Sequence, residues 1–225
     1  MSAPVSPTRL DTAMAHVQRL IQTQRLPAGA PLPSEGQLSR DLGISRGMVR
    51  EAYRALAATG AVSLSNGRAP RVGHLNADPV TLMLRHALST GQVSVQHALS
   101  LRRALDTEAA RLAALHRSEP QAQALVQAAE QLRSSPDLLR DDLHFHALIA
   151  ESSGNPLFVL LARTFSDLAG QSIAHGRHHY VDTFHTDAFV DAHRQVARAI
   201  ADRQPDRAAL ALHRHYEQAE LATLL

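Results

Sequence analysis

The sequence predicts a mainly α protein in two parts: short helices and a small β-ribbon at the N-terminus, then an all-α helical bundle of about six to seven helices. Three observations carry this. Apolar residues recur at three- and four-residue spacing along most of the chain, the period of a helix that buries one face. Proline and glycine gather at the edges of those segments, at Gly91, Pro120, Pro136, Gly154-Asn155-Pro156, Gly176 and Pro205. One stretch, 61–75, instead reads as two short strands around a tight turn at Asn66-Gly67.

In chain order, residues from about 11 to 23 place Met14, Val17, Leu20 and Ile21 on one helical face. Residues 26–33, LPAGAPLP, form a rigid connector. Ser34 opens a helix with a capping-box outline, Gln37 standing three residues after the cap; this helix runs to Leu42 and stops at Gly43. Ser45 caps a second helix with apolar positions Val49, Tyr53 and Leu56, ending at Gly60. Two helices joined by a short glycine-containing turn and followed by a ribbon are the outline of a winged helix-turn-helix. Residues 1–75 thus make an N-terminal winged helix-turn-helix domain and residues 76–79 (Asn-Ala-Asp-Pro) a linker. Beyond it, helices are expected over 79–89, 94–117, 119–133, 137–152, 156–175, 185–203 and 206–222, so that 80–225 form a C-terminal all-α helical bundle.

Composition removes several classes of function. The chain has no cysteine, which excludes disulfides, thiolate metal sites and cysteine nucleophiles. No run approaches about 18 uncharged apolar residues, so no membrane span is expected. The N-terminus lacks a basic start followed by an apolar run, so no signal peptide is expected and the expected location is cytoplasmic. The absence of Trp and an aromatic content of 4% argue against a single-strand nucleic-acid binder built on base stacking. Charge is divided along the chain. Residues 1–75 hold nine arginines against four acids and residues 76–225 hold fourteen against seventeen, so +5 and −3 make up the formal net charge of +2. Twelve of the 14 histidines lie in the second part. The first part suits a polyanion, the second something that histidines hold.

PLPSEGQLSRDLGISRGMVREAYRALAATGAVS resembles the N-terminal domain of GntR-type bacterial transcription regulators, whose pattern runs LPSE, L, lGvSR, VReAl, L and G; the match covers about residues 13–73. The resemblance implies double-stranded operator DNA as a partner, bound by a homodimer at a palindrome. Ser34 and the backbone N–H groups after it would anchor a phosphate. The helix from Ser45 would enter the major groove, with Arg46 and Arg50, one turn apart, reading guanine bidentately. Arg40 and the wing residues Gly67, Arg68 and Arg71 would track phosphates or the minor groove. Gly36 and Gly47 stand where many relatives carry polar or basic contact residues, so the operator sequence does not carry over. Arg54 reads as a solvated helix face.

In the second part, three helices carry polar residues on stripes that should be apolar. The stripe Leu139, 142, 146, Ile149 has Asp142 and His146 in its middle, one turn apart. The stripe Phe189, 193, Val196, Ile200 carries His193, and the stripe Ala208, Leu212, 215, Ala219, Ala222 carries His215. Burying one Asp and three His costs several kcal/mol unless each is paired. One divalent metal would satisfy all four, and neutral imidazole with carboxylate suits Zn, Ni, Mn or Fe. The alternative is that these are satisfied core histidines or dimer contacts. His144 and His213, each two residues from a proposed ligand and about 200° around the helix, should face away. His175, His178, His179 and His185 read as a surface cluster around a loop, the alternative being that they cap the ligand pocket.

DDLHFHALIAESSGNP, the His of DAHRQVARAI and the His of AALALHRHYEQ resemble the all-helical effector domain of the FadR subfamily of GntR regulators, the FCD domain. The resemblance implies a divalent metal, zinc before nickel, manganese or iron, on Asp142, His146, His193 and His215. LRRALDTEAARLAAL is similar to the subfamily's R-x-x-l-E pattern, which makes Arg102 a ligand-binding residue for an acidic effector. The Glu of that pattern is Asp106 here, and an i, i+4 salt bridge between Arg102 and Asp106 is the other reading of that arginine. Asn155 reads as a helix-junction cap. The expected function is a ligand-responsive, DNA-binding regulator, acting as a repressor, whose effector is a small carboxylate such as a sugar acid or hydroxy acid. No catalytic residue is expected. A metal-responsive regulator and a metal-dependent enzyme are the alternatives, the enzyme disfavoured because no further acid or base accompanies the four residues at recognisable spacing.

Overall fold

The computed structural model describes the backbone of residues 8–174 and 186–222 and the side chains of residues 8–169 and 187–217. The chain divides into two compact units, Met1–Pro79 and Val80–Leu225. His175, His178, His179 and His185 lie outside the described residues. No described helix is long and apolar enough to cross a membrane.

The first unit begins with α1 (Arg9–Thr23), two residues before the expected start. The reason is a full capping box: Asp11 N–H donates to Thr8 Oγ1 at 3.1 Å and Thr8 N–H donates to the Asp11 carboxylate at 2.9 Å. Helices α2 (Glu35–Leu42) and α3 (Arg46–Ala58) are capped by Ser34 and Ser45, and the left-handed Gly43 (φ 63°) turns the chain between them. The box expected at Ser34 is only half made. Gln37 N–H reaches Ser34 Oγ at 3.2 Å, but the Gln37 side chain turns to Asp41 and Arg40 instead of back to the cap. Val17, Leu38, Val49, Tyr53 and Leu56 close the core of this unit. Tyr53 donates its hydroxyl to the Pro33 carbonyl at 2.6 Å, and burial, then the charge of Glu35, push its pKa up to about 12.

Strands β1 (Val62–Ser63) and β2 (Arg71–Val72) pair antiparallel, Val62 opposite Val72. They are shorter than the sequence suggests, and the Pro/Gly connector also pairs with the β2 segment: Gly29 N–H bonds Val72 O at 2.9 Å, Val72 N–H bonds Ala30 O at 2.9 Å, and Leu32 N–H bonds Pro70 O at 2.8 Å. Residues 26–33 therefore belong to the wing rather than merely leading away from α1. Gly73 has no alternative here, since a Cβ on it would fall 1.8 Å from the Gly60 carbonyl oxygen.

The second unit is all helix: α4 (Asp78–Ser89), which starts at the unit boundary, then α5 (Val95–His116), α6 (Glu119–Gln131), α7 (Leu138–Ser152), α8 (Pro156–Ala174), α9 (Thr186–Ala201) and α10 (Pro205–Ala222). A 3₁₀ turn, Leu132–Ser134, ends α6. Helix α5 packs against α7, α9 and α10, and it does so through alanines: Ala109, Ala110, Ala113 and Ala114 are buried. Small side chains let the neighbouring backbones approach, while Leu125, Phe145, Ile149, Ile200 and Leu212 fill the rest of the core. Each of these large side chains contributes about 1.5–3 kcal/mol by leaving water.

Two arginines tie the ends of α5 and α9. Arg117, just past α5, donates to the Ala201 carbonyl at the last residue of α9. Arg203, just past α9 and in a left-handed conformation (φ 54°), donates to the Leu115 and Arg117 carbonyls at 3.1 and 3.2 Å. Each arginine thus satisfies carbonyl groups at the C-terminal end of the other helix, one on α9 and two at the end of α5. Asn155 caps the start of α8 through Leu157 N–H at 3.0 Å.

Candidate metal centre and nucleic-acid interface

Asp142 and His146 stand one turn apart on α7, and His193 on α9 and His215 on α10 converge on them. All four are buried, and one ligand atom from each lies within 4.8 Å of the others. His193 Nε2 is 3.0 Å from Asp142 Oδ1, and His146 Nε2 is 3.7 Å from the same oxygen. The rings of His193 and His215 have their centroids 4.4 Å apart. Phe145 sits edge-on to His193 at 4.9 Å and walls one side in hydrocarbon. His144 is exposed, and His213 is part-exposed and lies 3.3 Å from Glu217.

His193 tests whether this set fits a cation. Its Nδ1 is 2.8 Å from the Phe189 carbonyl and its Nε2 faces the Asp142 carboxylate, so both ring nitrogens face acceptors. A neutral imidazole has one N–H only. With Asp142 ionised, both contacts are attractive together only if the ring is an imidazolium or if a cation bridges Nε2 and Oδ1. Donors held about 2.0–2.2 Å from one ion stand about 3–4 Å apart. The 3.0 and 3.7 Å spacings fit that requirement.

The surrounding electrostatics keep the carboxylates ionised and one imidazole neutral. Burial works against the charge of Asp142, but His146, the hydrogen bond with His193 and Arg102 hold it well below the ordinary carboxylate range. Burial first, then the nearby His193 and His146, hold His215 well below the ordinary histidine range. Neutral imidazole and ionised carboxylate are the forms that ligate metals.

This sets a direction for acid stability. His215 stays neutral in the folded protein, whereas in the unfolded chain it titrates near the usual value of about 6.5. The unfolded state therefore takes up the proton first. The contribution is complete above that value and is lost as the pH falls below it, at up to about 1.4 kcal/mol per pH unit for one proton. Urea midpoints of metal-free protein should fall from about pH 7 to about pH 5, and His215→Gln should flatten the fall. A midpoint that rises on acidification would contradict the assignment.

Asp106 on α5 and Tyr216 on α10 lie against this cluster, and sequence reasoning gave neither a role in it. Asp106 Oδ2 accepts from the Tyr216 hydroxyl at 2.5 Å and lies 3.4 Å from Arg102 Nε. Burial opposes the Asp106 charge, yet His146, Arg102 and Tyr216 bring its pKa below the ordinary range. Burial pushes the Tyr216 pKa well up, so its hydroxyl remains a donor. Arg102 is buried, pairs with Asp106 as the i, i+4 reading expects, and lies over the Tyr216 ring at 5.9 Å. The signal for Asp106 was this spacing. Tyr216 had none, being about 100° round the helix from His215.

In the first unit, Ser34 and Ser45 are the caps at the N-termini of α2 and α3, and Arg46 opens α3 on the surface. A Cβ on Gly36 would stand 3.7 Å from the Arg46 guanidinium and 3.8 Å from that of Arg40, so both arginines lie beside the first turn of α2. Arg50 is exposed but held by Glu35 through bonds of 3.1 and 3.2 Å. Reading a base with Arg50 means exchanging that surface pair, which is worth about 0–1 kcal/mol. Arg68 is exposed on the turn that the left-handed Gly67 makes, whereas Arg71 donates to the Gly29 carbonyl at 2.7 Å and so braces the wing. Arg54 pairs with Glu51 on its own helix.

A capped two-helix element with an arginine-bearing second helix and a wing has the form of a DNA-binding winged helix-turn-helix, and it is followed by a helical domain with a buried polar centre. Residues 10–72 match the family described as bacterial regulatory proteins, gntR family, and residues 97–218 match the FCD domain. The chain is 30% identical over 209 residues to the HTH-type transcriptional repressor NanR of Salmonella newport, covering 88% of this chain and 79% of the relative; NanR of Salmonella typhi is equally similar. Its fold is similar to that of Streptococcus agalactiae GntR, with a TM-score of 0.64 at 23% identity over 92% of this chain and 97% of that one. The chain belongs to the GntR family of bacterial transcription regulators and carries an FCD domain. These matches are to regulators, not to enzymes.

Proposed function

We propose that the chain represses transcription by binding a palindromic operator as a homodimer, and that a small carboxylate bound at a divalent metal in the FCD domain controls that binding. In this reading residues 1–75 bind DNA, residues 76–79 link, and residues 80–225 bind ligand and dimerise. Repression is taken from the name of the relatives. The metal reading is carried by His193, buried with both ring nitrogens facing acceptors. Asp142, His146, His193 and His215 would hold the ion, with zinc favoured by three imidazoles and one carboxylate, and nickel, manganese or iron as alternatives. The ion supplies a Lewis-acidic docking point for an anionic oxygen. Arg102, whose charge acts on both Asp142 and His215, supplies a second anion-binding group near it. A sugar acid or hydroxy acid offers oxygens for both at short spacing. Such a ligand shifts operator binding only by its differential affinity for the two arrangements of the dimer.

Arg46→Ala should weaken operator binding by about 1–3 kcal/mol and relax sequence preference, with Arg50→Ala in the same range. Arg68→Ala should weaken binding to operator and random DNA alike and flatten the salt dependence. Equal losses on both DNAs for Arg46→Ala would remove its base-reading role. For the effector, a panel of sugar acids and hydroxy acids is screened by thermal shift and then by fluorescence anisotropy on operator DNA, with and without metal. An acid that acts only on metal-loaded protein supports the reading. Release of operator by metal alone, with no acid shifting stability, would replace it with a metal-responsive regulator.

A further inference from the structure

Asp106 lies outside the four-residue cluster, yet its one oxygen Oδ2 meets three partners. It accepts from the Tyr216 hydroxyl at 2.5 Å, lies 3.4 Å from Arg102 Nε, and comes 3.0 Å from His146 Nδ1. This last approach has ion-pair distance but not hydrogen-bond alignment. All four residues are buried. His146 therefore stands between two carboxylates, Asp106 at Nδ1 and Asp142 at Nε2, the second at 3.7 Å.

We infer that Asp106 is a positioning residue for His146. It selects the ring form protonated at Nδ1 and so leaves the Nε2 lone pair facing Asp142, where a metal ion would sit. A ring protonated at Nε2 would set its Nδ1 lone pair against a buried carboxylate oxygen, a repulsion that Arg102 and Tyr216 on that oxygen reduce but do not turn into an attraction. Asp106 does this because it cannot swing away: the Tyr216 hydroxyl and the Arg102 guanidinium hold the same oxygen from α10 and α5. A partner of this kind fixes both the ring orientation and the basicity of the ligating nitrogen, and its loss typically lowers metal affinity about 10–100-fold. Asp106 also links the two halves of the proposed effector site, since the oxygen that orients His146 is the one that pairs with Arg102. The inference rests on the metal reading above.

The test uses zinc and cobalt(II) on the full chain. Zinc affinity is measured by competition with a chromophoric chelator, the cobalt absorption spectrum reports coordination, and long-range ¹H–¹⁵N spectra of the zinc-loaded wild type report which His146 nitrogen is bound. Asp106→Asn should lose about 10–100-fold in zinc affinity and alter the cobalt spectrum. Asp106→Glu, which keeps the charge, should recover part of that loss, and Tyr216→Phe should show a smaller one. In wild type, His146 should bind zinc through Nε2 with Nδ1 protonated. Zinc on Nδ1, or an Asp106→Asn affinity within twofold of wild type, overturns the role of Asp106 and leaves the metal reading standing. A wild-type chain that takes up neither ion overturns both. The nitrogen spectrum needs no substitution, so it decides the point even if Asp106→Asn does not fold.

Discussion

Purified without a histidine tag, His193→Ala protein should hold zinc about a hundredfold more weakly than the wild-type chain. Four-ligand structural zinc sites bind with apparent free energies of about 10–16 kcal/mol, so one ligand in four carries about 3 kcal/mol. His193 is the sharpest place to remove one. It faces Asp142 at 3.0 Å and has its other nitrogen on the Phe189 carbonyl, so it has no second orientation in which both contacts survive. Equilibrium dialysis with elemental analysis gives the occupancy, and His144→Ala and His213→Ala, whose rings lie away from the cluster, should keep wild-type values. Wild-type occupancy in His193→Ala would remove this residue from the site.

The second large effect is on stability. Phe145→Ala should cost about 3–5 kcal/mol. In a chain of this size that lowers the Tm by about 6–20 °C. Phe145 is fully buried between the core and the imidazoles, with ring centroids 4.9 Å from His193 and 5.9 Å from His146. The same core contains Ala109, Ala110 and Ala113 of α5, and alanines have no atoms to extend into a hole. The cost should therefore lie toward the upper end, with Phe145→Leu recovering much of it. Calorimetry on metal-free protein separates this packing effect from any loss of bound ion. A loss below about 1.5 kcal/mol would mean that the surrounding helices close the hole.

What could be read from the sequence and what could not divide along a physical line. The positions of Asp142, His146, His193 and His215 were legible because each interrupts an apolar stripe whose remaining members, such as Ile149, Val196, Ile200 and Leu212, are buried. Periodicity within one helix was enough. The helix order was legible for the same reason, and the caps at Ser34 and Ser45 because their signals are local. The contacts that join distant segments were not. Glu35 holds Arg50 across fifteen residues, the 26–33 connector completes the wing beside β2, and Tyr216 meets Asp106 from 110 residues away. Each depends on how elements pack, and a helical period carries no information about that. The start of α1 was placed late because the box of Thr8 and Asp11 precedes the first apolar position of the stripe.

The crossed arginines at the ends of α5 and α9 have a mechanical consequence. A helix end ordinarily frays on its own, because water can replace the partners of its last carbonyls one at a time. Here the last turn of α5 cannot open without releasing Arg203, and Arg203 follows directly on α9; the last turn of α9 cannot open without releasing Arg117, which α5 positions. Opening one end is thereby coupled to opening the other, so Arg203→Ala should raise amide exchange in the last turns of both helices. Arg102 and Asp106 ride on one helix of this laced pair and His193 on the other, so the cluster spans two helices whose ends are tied.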